Sequence, residues 1–171
     1  MTDANYAPPT ATVDDRPQAP AGVLRQLLAI FVAFIVDVTG TEALDSALGY
    51  LFLQVVGGGV IDQNLLDRYT DQLSSYDNPW GIAQFVIGSG MSVIGGSLCA
   101  RIAWRREWRA VGWLCVVHVG YSLWRGSGVD FAWWESNAIT LGSVLIGAAL
   151  QRGAVRGMLR RSRRAAEADG P

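Results

Sequence analysis

Two ionisable residues lie in the middle of apolar runs. Asp37 falls inside a stretch that begins near Val23, and His118, the chain's single histidine, falls inside one that begins near Ala110. A carboxylate and an imidazole at similar depth are the right groups for a proton relay or a cation site, because burial and pairing can tune both towards neutrality. Asp37, Thr41 and Asp45 recur at intervals of four, so they share one helical face, with Glu42 beside them. Tyr121 and Ser122, about one turn from His118, and Thr140 and Ser143 further on could extend a polar path. Three arrangements are open. Asp37 and His118 face each other; or Asp37 pairs with Arg101 to satisfy charge inside a bundle; or, most plainly, Asp37 is protonated or hydrogen-bonded to a hydroxyl and His118 is a neutral interhelical hydrogen-bonding residue.

The elements that must hold these residues are membrane helices. Half of the 171 residues are apolar and only 17% are charged, against about 25% in a typical soluble domain. A helix crossing the hydrocarbon layer needs about 20 mostly apolar residues. Four stretches serve: about 23–50, 80–104, 110–124 and 131–152. The first stays apolar to Val56, and at about 1.5 Å per residue it overruns the bilayer, so it tilts and projects or bends at Gly40. The glycines at 57, 58 and 59 end it. Between the first and second spans, residues 60–78 are acidic and amphipathic (Ile61, Leu65, Leu66, Tyr69, Leu73), which predicts a short helix at the outer surface. Asp77-Asn78-Pro79 reads as a turn and a helix start. The predicted fold is therefore an all-α membrane protein, a four-helix bundle with a short outer amphipathic segment. A disordered tail (1–20) precedes the transmembrane domain (21–158), and a basic tail (159–171) follows it.

All 14 basic residues are arginines, and their placement orients the bundle. Arg105, Arg106 and Arg109 join spans two and three; Arg152, Arg156, Arg160, Arg161, Arg163 and Arg164 follow span four. Acids dominate residues 62–77. Basic loops stay inside, so four spans with both termini cytoplasmic in a bacterial inner membrane satisfy every loop. Six of the seven tryptophans (Trp80, Trp104, Trp108, Trp124, Trp133, Trp134) fall at span ends, where an interfacial belt would place them. The first apolar run continues too long for a secretory signal and is read as a retained helix.

Gly88, Ser92 and Gly96 recur every four residues in span two. Small residues at that spacing let another helix approach closely, and the expected partner is span one or three. Gly142 and Gly147 suggest a second close contact. Cys99 and Cys115 belong to no metal-spaced set and read as small apolar residues. A lone histidine and the lack of CxxCH exclude a bis-histidine haem and covalent haem attachment, and His118 with Cys115 under-supplies a metal. No cofactor is expected. The arginine-rich tail suits anionic lipid headgroups better than nucleic acid.

The segment Val36-Asp37-Val38-Thr39-Gly40-Thr41, together with Gly95-Gly96-Ser97-Leu98-Cys99-Ala100-Arg101-Ile102-Ala103, resembles small four-span bacterial inner-membrane proteins of uncharacterised function. These carry an Asp-x-x-Gly-Ser/Thr in the first span and a Gly-Gly-x-x-Ala-Ala-Arg-x-Ala in the second. Cys99 stands where a small residue is usual. The resemblance implies a helical membrane bundle and no activity. HExxH, Ser/Lys pairs and clustered aspartates are missing, so catalysis is not expected. The functional expectation is an accessory, assembly or scaffolding subunit that contacts lipid and other membrane subunits or itself. The alternative is a small proton- or ion-coupled transport element using Asp37 and His118.

Overall fold

The computed structural model describes residues 20–58, 63–73, 77–103, 107–125 and 131–168, with side chains at all of these except 20, 21, 132, 155, 156 and 158–168. The expected N-terminal tail, Trp104, Arg105 and Arg106, and the loop at 126–130 lie outside the described residues. Every described element is a helix: α1 (Pro20–Val55), α2 (Gln63–Leu73), α3 (Pro79–Ala103), α4 (Glu107–Trp124) and α5 (Phe131–Ala168). Two of them, over Gly22–Val55 and Pro79–Ala103, are long and apolar enough to cross a membrane. Only 22% of the apolar window in each is buried. Leu24, Phe31, Val55, Ile82 and Val86 all point away from the bundle.

Helix α1 runs through Gly40 without a break in its helical assignment. A Cβ on Gly40 would overlap only the flexible end of the Met91 side chain, which can move aside. The helix ends where the amides of Val56 and Gly57 bond back to the carbonyls of Phe52 and Leu53, and Gly58 takes a φ of 59°. That left-handed conformation strains any residue with a Cβ. The amphipathic segment then forms α2, which folds back over the end of α1. Tyr69 packs on Gly49 and Phe52, and its hydroxyl donates to the Asp45 carbonyl at 3.4 Å. Burial pushes the Tyr69 phenol above its usual range, and the Asp45 carboxylate adds to this, which keeps the donor protonated.

Asn78 starts α3 as the sequence predicts. Its Oδ1 accepts from the amides of Trp80 and Gly81, each at 3.0 Å, while its Nδ2 donates to the Gln72 carbonyl at 2.7 Å. The cap thus joins the end of α2 to the start of α3. Asn78→Ala is expected to lower stability by about 1 kcal/mol, the usual cost of a lost N-cap. Asn78→Asp, which keeps the acceptor for the α3 amides but loses the donor to the Gln72 carbonyl, should recover only part of it in a thermal melt.

Helix α3 is the centre of the bundle and packs most extensively on α5 and α1. A Cβ on Gly96 would overlap the Val144 backbone, and one on Gly147 would overlap the Val93 carbonyl. The closest approach of the small-residue stripe is therefore to α5, not to the first or third span, because the two glycines face each other's backbones reciprocally. Gly95 makes the contact with α1, where a Cβ would stand 3.2 Å from the Ala33 carbonyl oxygen. Gly88 and Gly142 face open space, so neither sets a helix separation.

These close approaches fall in one half of the bundle. Ala29, Ala33, Cys99, Ala100, Ala103, Ala110, Val111, Leu114, Val144 and Ala148 form a continuous core there. Alanines and glycines bring backbones together, and that half is closed. Its end is pinned by Arg25, whose Nε donates to the Ile102 carbonyl in the last turn of α3, and by an Arg152–Glu107 ion pair at 3.3 Å. Arg152 also lies 5.9 Å from the centre of the Trp108 ring, so it is engaged within the bundle. The backbone of α5 stays helical to Ala168, well past the expected span end. The side chains of Arg156, Arg160, Arg161, Arg163 and Arg164 lie outside the described residues.

Candidate functional site

The other half of the bundle opens. Past Asp37 on α1, Ser92 on α3 and His118 on α4, the helices diverge around a cavity of about 410 Å³. Every helix contributes to its wall, α2 only through Leu73. The divergence has a local cause. Larger and polar side chains (Glu42, Gln84, Phe85, Tyr121, Arg125) replace the alanines and glycines that close the opposite half.

Asp37 and His118 form the floor. They are 3% and 8% exposed, and His118 Nε2 lies 3.1 Å from Asp37 Oδ2. Ser92 Oγ donates to the other carboxylate oxygen, Oδ1, at 3.2 Å. The approach of Nε2 to Oδ2 is close but poorly directed, and neither atom completes an aligned hydrogen bond. Oδ2 is thus enclosed between His118 and α3, where a Cβ on Gly95 would stand 3.4 Å from it. Phe34 stands edge-on to His118, ring centres 5.3 Å apart, and in the same relation to Tyr121. It walls the imidazole off from the surrounding phase.

Thr41 and Asp45 line the cavity above Asp37, as their spacing predicts. Asp45 lies within hydrogen-bonding reach of Gln84, and its Oδ1 is buried without a donor. At the mouth, Arg125 pairs with Glu42 at 3.5 Å, both side chains more than half exposed, and Arg125 also lies 5.8 Å from the Tyr121 ring centre. An exposed pair of this kind contributes little to stability. It balances Glu42, one of the three acids that line the cavity with Asp37 and Asp45.

Of the five candidate polar residues, Asp37, Thr41, Asp45 and His118 come together; Arg101 does not. It is exposed in the last turn of α3, more than two turns past Ser92. Asp37 is accordingly met by Ser92 and His118. Tyr121 and Thr140 line the cavity, whereas Ser143 is buried in the closed half. Ser122 accepts a hydrogen bond from Asn137 Nδ2 at 3.1 Å. The sequence reading did not single out Gln84, Ser89, Ser136 or Asn137. Gln84, Gly88 and Ser92 recur every four residues, and this spacing carries the signal: the same face that packs at Gly96 lines the cavity one and more turns earlier. Trp133, expected at an interface, is only 7% exposed.

Among the described residues, no group of three or more His, Cys, Asp or Glu side chains converges as a metal-ligand set. The arrangement offers instead a buried acid–imidazole pair on the floor of a polar, partly aromatic chamber. Compared with protein-family models, curated proteins and solved structures, the chain matches none.

Proposed function

We propose that the protein is a four-span bundle of the bacterial inner membrane with both termini cytoplasmic, and that it is a small proton- or cation-coupled transport element working at Asp37 and His118. Outward-facing apolar residues on α1 and α3 support lipid as the solvent, since soluble monomers rarely expose contiguous apolar patches of this extent. In this orientation α4 and α5 supply spans three and four. The closed half, with Arg25, Arg109 and Arg152 at its end, lies towards the cytoplasm, where the arginines of α5 can meet anionic headgroups. The cavity opens outward.

One observation carries the transport reading: two side chains more than nine-tenths buried, acid and imidazole, meet at 3.1 Å on the floor of a polar cavity. Intramembrane ionisable groups are costly and mark ion paths or proton relays. The test is proton and cation flux in vesicles carrying the full chain. Asp37→Asn and His118→Gln should each reduce flux at least tenfold while the bundle stays folded. Unchanged flux in both variants overturns the reading.

The accessory-subunit reading is favoured by a different observation, the closed core beneath the pair. On that reading, Asp37 and His118 hold the bundle together and its helix faces serve a larger complex. Purification in mild detergent separates the two readings, because an accessory subunit brings its partners with it.

A further inference from the structure

Two kinds of contact hold the spans together. Helices α1, α3 and α5 meet backbone to backbone: a Cβ on Gly96 would overlap Val144, one on Gly147 would overlap Val93, and one on Gly95 would stand 3.2 Å from the Ala33 carbonyl oxygen. Helix α4 joins that slab through side chains, and its glycines Gly112 and Gly120 face open space. Its inner half is anchored. Ala110, Val111 and Leu114 are fully buried in the alanine-rich core, and Glu107 pairs with Arg152. Past Leu114, His118 is the one buried residue of α4. The outer half is fastened to α1 by His118 on Asp37 and Arg125 on Glu42, with Phe34 edge-on to Tyr121, and to α5 by Asn137 Nδ2 donating to Ser122. We infer that this outer half of α4 is the moving wall of the cavity: the helix tilts about Leu114 and draws His118 away from Asp37.

The inference rests on the transport reading above and gives that site its gate. Oδ2 of Asp37 is enclosed between His118 and α3, so a cation reaches it only when the imidazole withdraws. Energetics single out α4. Interdigitated backbones forfeit dispersion contact as soon as they slide. An exposed ion pair such as Arg125–Glu42 contributes little, and segments with few buried apolar contacts open at low free energy. From Leu114 to Arg125 is about 16 Å of helix, so a hinge tilt of about 20° carries the mouth end about 5 Å. That parts Arg125 from Glu42 and Tyr121 from Phe34 and leaves the apolar inner half seated. Leu123 and Trp124 are exposed on the outward face, so the path outward is clear of the other helices.

The test is pulsed electron resonance on pairs of spin labels in the full chain, in lipid nanodiscs, with Cys99→Ala and Cys115→Ala as background. Labels replace exposed residues: Leu44 with Leu123 across the proposed moving seam, Leu28 with Trp113 across the anchored half, and Leu44 with Trp134 between α1 and α5. The first pair should show two distances about 5 Å apart, and the other two pairs one distance each. Arg125→Gln should raise the share of the longer Leu44–Leu123 distance at least threefold, as should Glu42→Gln, and the charge swap Glu42→Arg with Arg125→Glu should restore the wild-type share. A single Leu44–Leu123 distance that persists in Arg125→Gln overturns the proposal, as does equal broadening of all three pairs, which would mean that the whole bundle loosens. Flux measured on the same chain separates the two readings. Two distances without flux remove the transport reading alone; flux with one fixed distance removes the moving helix alone.

Discussion

His118→Leu is expected to destabilise the bundle by about 3 kcal/mol, the low end of the cost of breaking a buried pair by removing one partner. The leucine fills a similar volume beside Phe34, so lost packing is not the cause. The cause is Asp37, 3% exposed and left with Ser92 as its one protein donor. His118→Gln, which keeps a donor, should cost only about 1 kcal/mol. Asp37→Asn in the His118→Leu background should restore much of the stability, giving a coupling energy of about 1–3 kcal/mol in a double-mutant cycle. Chemical or thermal unfolding in detergent reads all three. A His118→Leu protein as stable as the wild type means that the imidazole does not hold the carboxylate.

The second large effect lies in the closed half. Gly96→Val and Gly147→Val each drive a branched side chain into an opposing backbone, Val144 in one case and Val93 in the other. Backbone cannot rotate away as a flexible side chain can. The cost is expected at about 3 kcal/mol or more, the upper part of the overpacking range, with α5 parting from α3. Gly88→Ala and Gly142→Ala supply the contrast. A Cβ at either site meets nothing within 4 Å, and alanine is the better helix former, so both should be neutral or stabilising by up to about 1 kcal/mol. Cross-linking between introduced cysteines on α3 and α5 would report the separation directly. Equal behaviour of Gly88 and Gly96 variants contradicts the packing described.

Helices were legible in the sequence where periodicity, composition and local chemistry agreed. The Asn78-Pro79 start, the end at the triple glycine and the short amphipathic α2 all follow from residue types whose effects are local. The common face of Asp37, Thr41 and Asp45 was legible for the same reason, since helical spacing alone fixes it. Which helices touch was not. Gly88, Ser92 and Gly96 look alike as a stripe, but helix divergence turns the first two towards a chamber and the third against α5. Arg101 shows the same limit. A pair with Asp37 was one of the arrangements the sequence left open, but the final turn of α3 carries Arg101 to the outside, and Ser92 and His118 meet the carboxylate. Asn137 gave no signal, because a single amide in an apolar run acquires meaning only from the Ser122 opposite it.

The lopsided interior also shapes the electric field. In a membrane, a solvated outer chamber would sit near the external potential down to its floor, and the voltage would fall mainly across the tight alanine-rich layer below, about 18 Å from Asp37 to Arg25. A full elementary charge crossing 100 mV gains or loses about 2.3 kcal/mol. Ions arriving at Asp37 from outside would feel little of that, and any charge that moved on through the layer would feel nearly all of it.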